Sequence, residues 1–120
     1  MSSVSIQAVS RTFEGRQGQR THALLPVDFE VRDNDFVTIL GPSGCGKSTL
    51  LRIVAGLDHA TSGRVLLDGA PVEGPGADRG MVFQSYTLFP WLTIEQNIRF
   101  GLRERGMPEA LQKERAAYFI

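Results

Sequence analysis

Residues 41–49 run Gly41-Pro42-Ser43-Gly44-Cys45-Gly46-Lys47-Ser48-Thr49. They follow the order Gly-x-x-x-x-Gly-Lys-Ser, which is suited to holding phosphate. Glycines let the backbone take dihedrals closed to other residues. Successive amide N–H groups can then turn into one concave nest for an anion. A helix opening near Lys47 adds the positive end of its dipole. Lys47 supplies a point charge for the outer phosphates of a nucleotide. Ser48 supplies a hydroxyl oxygen suited to Mg2+, and Thr49 a donor for an inner phosphate. Cys45 reads as a small residue of the loop. The lesser alternative for it is redox chemistry, because a helix N-terminus can lower a thiol pKa.

Such a loop needs a strand before it and a helix after it, and both are legible. Phe36-Val37-Thr38-Ile39-Leu40 is a nearly continuous apolar run, as in a strand covered on both faces of a parallel sheet. After the loop, Leu50, Ile53, Val54 and Leu57 fall at helical spacing, with Gly56 as the stop. Earlier in the chain, Val4, Ile6 and Ala8 alternate with Ser5 and Gln7, and Val27, Phe29 and Val31 alternate with Asp28, Glu30 and Arg32. These patterns predict two half-buried strands, over 4–10 and 25–32. Residues 16–20 hold no apolar side chain and read as the turn between them. Residues 64–67 predict a further strand closed by Asp68-Gly69, residues 73–80 a loop, and residues 81–84 a second buried strand. Thr93-Ile94-Glu95-Gln96 has the form of a capping box. It opens a helix that carries Ile94, Ile98 and Leu102 on one face, and Pro108-Glu109 begins a last helix. Arg99, Arg103 and Arg105 read as a solvated face. The apolar residues 116–120 have no cap or polar tail after them, so the chain reads as cut within a helix.

Composition narrows the partners. The chain has 120 residues, enough for one domain at most. Lys plus Arg and Asp plus Glu are 13 each, for no net formal charge. Nucleic acid is therefore an unfavoured partner. The single cysteine allows no internal disulfide, in keeping with a reducing compartment. The start of the chain has no charged segment followed by an apolar one, as a signal peptide would. No run of about 18 apolar residues spans a membrane, so work at a membrane would proceed by docking.

Three features select among phosphate-loop proteins. Two alternating strands precede the loop, whereas small nucleotide kinases carry it near the chain start. Phe13, in that leading segment, offers a ring that could stack on a base or serve as a core aromatic. Gln84 ends a strand and is followed by Ser85-Tyr86-Thr87-Leu88-Phe89-Pro90-Trp91. On these residues the chain resembles the nucleotide-binding subunits of ATP-binding cassette (ABC) transporters. Gly41 to Thr49 look like their Walker A motif, Leu51-Arg52-Ile53-Val54-Ala55-Gly56-Leu57 and Thr61-Ser62-Gly63 like the following helix and turn, and Val82-Phe83-Gln84 like their Q-loop. Residues 74–80 and 88–93 are most similar to importers of the nitrate, sulfonate and taurine type.

The resemblance implies an α/β P-loop NTPase fold of the ABC type, truncated. Its parts would be a small antiparallel sheet over about 4–32, a parallel P-loop core over about 36–92, and the start of a helical subdomain over about 93–120. It implies ATP and Mg2+ as ligands. Phe13 would stack on adenine, and the backbone of Gly41, Pro42, Ser43, Gly44, Cys45 and Gly46 would cradle the phosphates. Lys47 would bind the β- and γ-phosphates. Ser48 would bind Mg2+, and Gln84 would contact Mg2+ or the attacking water and sense the γ-phosphate. Lys47 and Gln84 are thus the candidate catalytic residues. Residues 85–91 would face a transmembrane permease, and a second ATP-binding subunit would complete a dimer. A solute-binding protein would be reached only indirectly. The place would be the cytoplasmic face of a bacterial plasma membrane, and the activity ATP hydrolysis coupled to import of a small anionic solute. The family's signature motif, Walker B strand, catalytic Glu and switch histidine have no match here, and His22 and His59 stand in the wrong places. Two alternatives remain: a module that binds ATP without catalysis, and another class of P-loop NTPase.

Overall fold

The computed structural model describes residues 2–120, and the chain divides into two compact units, one ending at Met81 and one spanning Val82–Ile120. The first unit is built on an antiparallel sheet. Strands β1 (Val4–Glu14) and β2 (Arg20–Val31) form a long hairpin, β3 (Ser62–Leu67) pairs with the other edge of β1, and the short β4 (Ala70–Pro71) closes the order β2-β1-β3-β4. The hairpin runs four residues beyond the sequence reading of β1 and starts five residues earlier in β2. Its turn closes through the Gly15 N–H and the Gln19 carbonyl at 2.8 Å, with Gly18 at φ 78°. Asp68 (φ 50°) and Gly69 (φ 82°) make the two-residue turn between β3 and β4, a geometry whose twist matches the flanking strands.

One irregularity in β1 decides its inward face. Strict alternation would bury Ala8. Instead Ala8 takes φ 48° and is exposed, and its N–H donates to Asp28 Oδ1 at 2.8 Å. The pairing skips from Ile6↔Phe29 to Val9↔Val27, so the side chains shift face by one residue. Val9 becomes fully buried beside Ile6, and with Leu24, Val65, Leu50 and Ile53 it forms the core of this unit. Gly63 faces the bulge, where a Cβ would come within 2.2 Å of the Ala8 carbonyl oxygen.

Helix α1 (Lys47–Val54) supplies Leu50 and Ile53 to that core. It ends as the sequence predicts. Gly56 sits at φ 77°, its N–H meets the Ile53 carbonyl at 3.0 Å, and the Leu57 N–H meets the Arg52 carbonyl at 2.9 Å. The paired bonds make a Schellman end.

The α/β class holds, but the expected parallel strands are not formed. Neither 36–40 nor 81–84 pairs with any strand among the described residues, and Phe36 (96%) and Val82 (97%) are almost fully exposed. An apolar run supplies β propensity, yet a parallel strand exists only through hydrogen bonds to neighbouring strands.

The second unit holds α2 (Ile94–Glu104) and α3 (Glu109–Phe119), joined through Gly106 at φ 71°. The capping box at Thr93 is present in both directions: Gln96 N–H to Thr93 Oγ1 at 3.2 Å and Thr93 N–H to Gln96 Oε1 at 2.9 Å. Arg99 is not a solvated residue. Its guanidinium is largely covered, pairs with Glu95 at 3.0 Å and Glu109 at 3.4 Å, and donates to Gln112 Oε1. Gln112 in turn donates from Nε2 to the Met107 carbonyl at 2.6 Å and is itself buried.

Candidate functional site

The loop over 41–46 leads directly into α1, and Gly46 is its N-cap, without a side-chain cap bond. The first four N–H groups of a helix have no acceptor within it, so this end presents donors and the positive end of the dipole together. Gly44 (φ 79°) and Gly46 (φ 98°) occupy the left-handed region that the loop requires. Gly46 is also held sterically, since a Cβ there would lie 2.4 Å from the Ala23 carbonyl oxygen. A Cβ on Gly41 would lie 2.7 Å from Cys45 Sγ. The loop therefore closes on β2 on one side and on itself on the other. No carboxylate lies among residues 41–49, so nothing in the loop opposes an anion.

Lys47 is folded over the loop. Its Nζ donates to the Gly41 carbonyl, to the Pro42 carbonyl at 2.8 Å, and weakly to Cys45 Sγ at 3.5 Å. The Ser48 side chain is exposed and that of Thr49 is half-buried. The donor set fits a polyphosphate chelated to a divalent cation: amide groups, one ammonium and one free hydroxyl. Among the described residues no group of three or more His, Cys, Asp or Glu forms a metal cluster of its own. A metal here would share its oxygen ligands with phosphate.

Phe13 lies in the same unit, beside the turn of the hairpin. It pairs with Thr21 on β2, two residues from the Ala23 that touches Gly46. Its ring is partly exposed (42%), and the Arg11 guanidinium stacks on it with the carbon 4.5 Å from the centroid. A concavity of about 660 Å³ opens beside it, lined by Arg11, Phe13, Glu14, Arg20 and His22 among others. The hairpin thus carries the partly exposed Phe13 ring on β1 and, on β2, the Ala23 carbonyl against which the loop over 41–46 closes.

Gln84 belongs to the second unit and is exposed there. In the segment that follows, Tyr86, Leu88 and Trp91 are exposed while Phe89 is tucked in. The Phe89 ring centroid lies 4.5 Å from Phe100 and 5.3 Å from Trp91. Asn97, which the sequence does not single out, holds this segment. Its Oδ1 accepts from the Phe89 N–H at 2.8 Å, and its Nδ2 donates to the carbonyls of Phe89, Leu92 and Thr93 at 3.2, 3.2 and 2.9 Å. A lone Asn in a helical pattern carries no periodic signal. Only its place one turn after an N-cap hints at such a role.

Comparison with known proteins bears on the same residues. The family model described as ABC transporter matches residues 24–119. An uncharacterized ABC transporter ATP-binding protein of Methanocaldococcus jannaschii is 52% identical over 98% of this chain and 43% of its own length. The nitrate import ATP-binding protein of a Synechocystis species is 46% identical over 98% of this chain and 44% of its own. A taurine import ATP-binding protein of Burkholderia pseudomallei is 49% identical over 97% and 44%. The chain thus spans less than half the length of these relatives. Among solved structures, a dimeric bacterial ABC transporter cassette is 30% identical with a TM-score of 0.85, over 96% of this chain and 54% of that one. A dimeric post-hydrolysis cassette bound to ADP and phosphate is 31% identical with a TM-score of 0.83, over the same shares.

Proposed function

This chain belongs to the ABC transporter family, and from that premise we propose that it is the nucleotide-binding part of an importer's ATP-binding subunit. The observation that carries this reading is the phosphate loop closed on β2, with Lys47 folded over it and Phe13 on the adjoining strand. In the proposed site the amides of residues 41–46 and the α1 N-terminus receive the ATP phosphates. Lys47 exchanges its carbonyl acceptors for β- and γ-phosphate oxygens, which are charged and therefore stronger partners. Thr49 donates to an inner phosphate, and Phe13 stacks on adenine. Ser48 would hold Mg2+, whose charge would offset that building on the phosphate oxygens. Gln84 would contact Mg2+ or the attacking water.

The assembly is a dimer with a second ATP-binding subunit, as in the dimeric cassettes this chain resembles. Residues 85–91 meet a transmembrane permease through their exposed apolar side chains, with Phe89 and Asn97 keeping the segment in shape. No helix among the described residues is long and apolar enough to cross a membrane. In this reading the protein docks on the permease at the cytoplasmic face of a bacterial plasma membrane, and a solute-binding protein acts on it only through that permease. The transported solute is a small molecule with an anionic oxygen group, such as nitrate, a sulfonate or taurine, and the nitrate and taurine import proteins at 46% and 49% identity support this reading.

The experiment is uptake in cells that carry the protein. A Lys47→Ala substitution is expected to abolish accumulation of one of these solutes. Unchanged accumulation of all of them would contradict the importer reading.

A further inference from the structure

The loop that follows α1 is fastened to β1 at the residues flanking the aromatic platform. Arg11 Nη2 pairs with Asp58 Oδ1 at 3.0 Å, and both side chains are mostly covered, at 24% and 20% exposure. The Thr61 hydroxyl brackets the peptide between: it accepts from the Thr12 N–H at 2.9 Å and donates to the Thr12 carbonyl at 3.3 Å. The Thr61 N–H reaches the Ser10 carbonyl at 2.8 Å. Three consecutive residues of β1 ending at Thr12 are therefore held by residues 58–61, immediately before Phe13.

Arg11 is where these contacts meet the ring. Its guanidinium lies against Phe13 while its Nη2 is tied to Asp58. Its Nε–H is buried and has no acceptor. A buried unpaired donor costs free energy and needs a reason. Here the plane of the guanidinium is set by the aromatic face and by Asp58, and Nε is left over. The cation occupies one face of Phe13, so a base can stack only on the other.

We propose that Arg11, anchored by Asp58, is a positioning residue that fixes the Phe13 ring for the nucleotide base and couples its placement to α1 and the phosphate loop. This rests on the reading of Phe13 as the adenine platform. Cation and base then sandwich one ring, and the cation–π contact holds the ring in one orientation before the base arrives. Asp58 follows α1 by a short, hydrogen-bonded turn. The distance between the platform and the phosphates is thereby set through residues 47–61 as well as through the hairpin.

The test compares MgATP with inorganic triphosphate, which has phosphates but no base, by calorimetric titration of the chain. Arg11→Gln and Asp58→Asn are each expected to weaken ATP by about three- to tenfold while triphosphate affinity stays within about twofold, the scale of a lost cation–π contact. The double variant should lose no more than either single one. Arg11→Lys, which keeps the charge, should recover part of the ATP preference. Equal losses for both ligands would mean a merely structural role and would overturn the proposal, as would ATP affinity unchanged in both variants. Phe13→Ala separates the two ideas. If it leaves the ATP preference intact, the platform reading fails. If it removes that preference while Arg11→Gln does not, only the positioning role fails. Circular dichroism of each variant excludes unfolding as the cause of a loss, and Asp58→Asn serves where Arg11→Gln does not fold.

Discussion

Lys47 Nζ donates to the Pro42 carbonyl oxygen at 2.8 Å, so the ammonium bridges the two ends of its own loop. The acceptors it holds are neutral carbonyls. Phosphate oxygens are charged and replace them at a gain. The loop backbone is held independently of Lys47, by the close approach of Gly46 to the Ala23 carbonyl.

That fixation makes Gly46 the least replaceable residue of the loop. Gly46→Ala places a Cβ at φ 98° and 2.4 Å from the Ala23 carbonyl oxygen. A strained φ of this kind costs about 1–3 kcal/mol before the clash is counted. Chemical denaturation should show at least that loss, with weaker ATP binding alongside. Gly80→Ala, which meets nothing within 4 Å and has no positive φ, should change stability by less than about 0.5 kcal/mol.

The capping box of α2 gives a second prediction, confined to the other unit. Thr93→Ala removes the acceptor for the Gln96 N–H at 3.2 Å. It should destabilise this unit by about 1 kcal/mol, and Thr93→Ser should restore most of it. The same substitution loosens the loop that Asn97 ties to Thr93 and Phe89. Hydrogen exchange at the Phe89 amide should therefore quicken.

Acid should act on α3 through Glu109. Its carboxyl is held below the ordinary glutamate range, first by a hydrogen bond from Lys113 and that residue's charge, then by Arg99. A carboxylate with a lowered folded pKa contributes stability that is full above its unfolded pKa and lost as pH falls through the folded one. Melting of the second unit should weaken over that acidic window. Glu109→Gln should flatten this part of the profile, and high salt should shrink the difference because the group is fully exposed.

Much of this molecule was legible in its sequence, and what escaped was set by contacts distant along the chain. The loop from Gly41 to Thr49, the Schellman end at Gly56 and the box at Thr93 are local: each depends on residues within one or two turns. The bulge at Ala8 is not, since it depends on a carboxylate from Asp28 on the facing strand and on the space left by Gly63. For the same reason alternation placed Ala8 inward where Val9 is buried. The apolar runs at 36–40 and 81–84 signal strands, but propensity cannot supply the neighbouring strand that a ladder needs. The Glu95–Arg99 pair has the i,i+4 spacing of a helix face, but the contacts of Arg99 with Glu109 and Gln112, of Asn97 with Phe89 and of Asp58 with Arg11 join residues that no spacing rule connects.

The central claim is that the loop under Lys47 is a working ATP site, and its most direct measurement is calorimetric titration of MgATP into the chain and into its Lys47→Ala variant. Saturable binding by the unaltered chain is predicted, weakened by roughly 10- to 100-fold in the variant, the scale of a lost charge-assisted contact. Equal ATP affinity in the two proteins, or no binding by the unaltered chain, would contradict it.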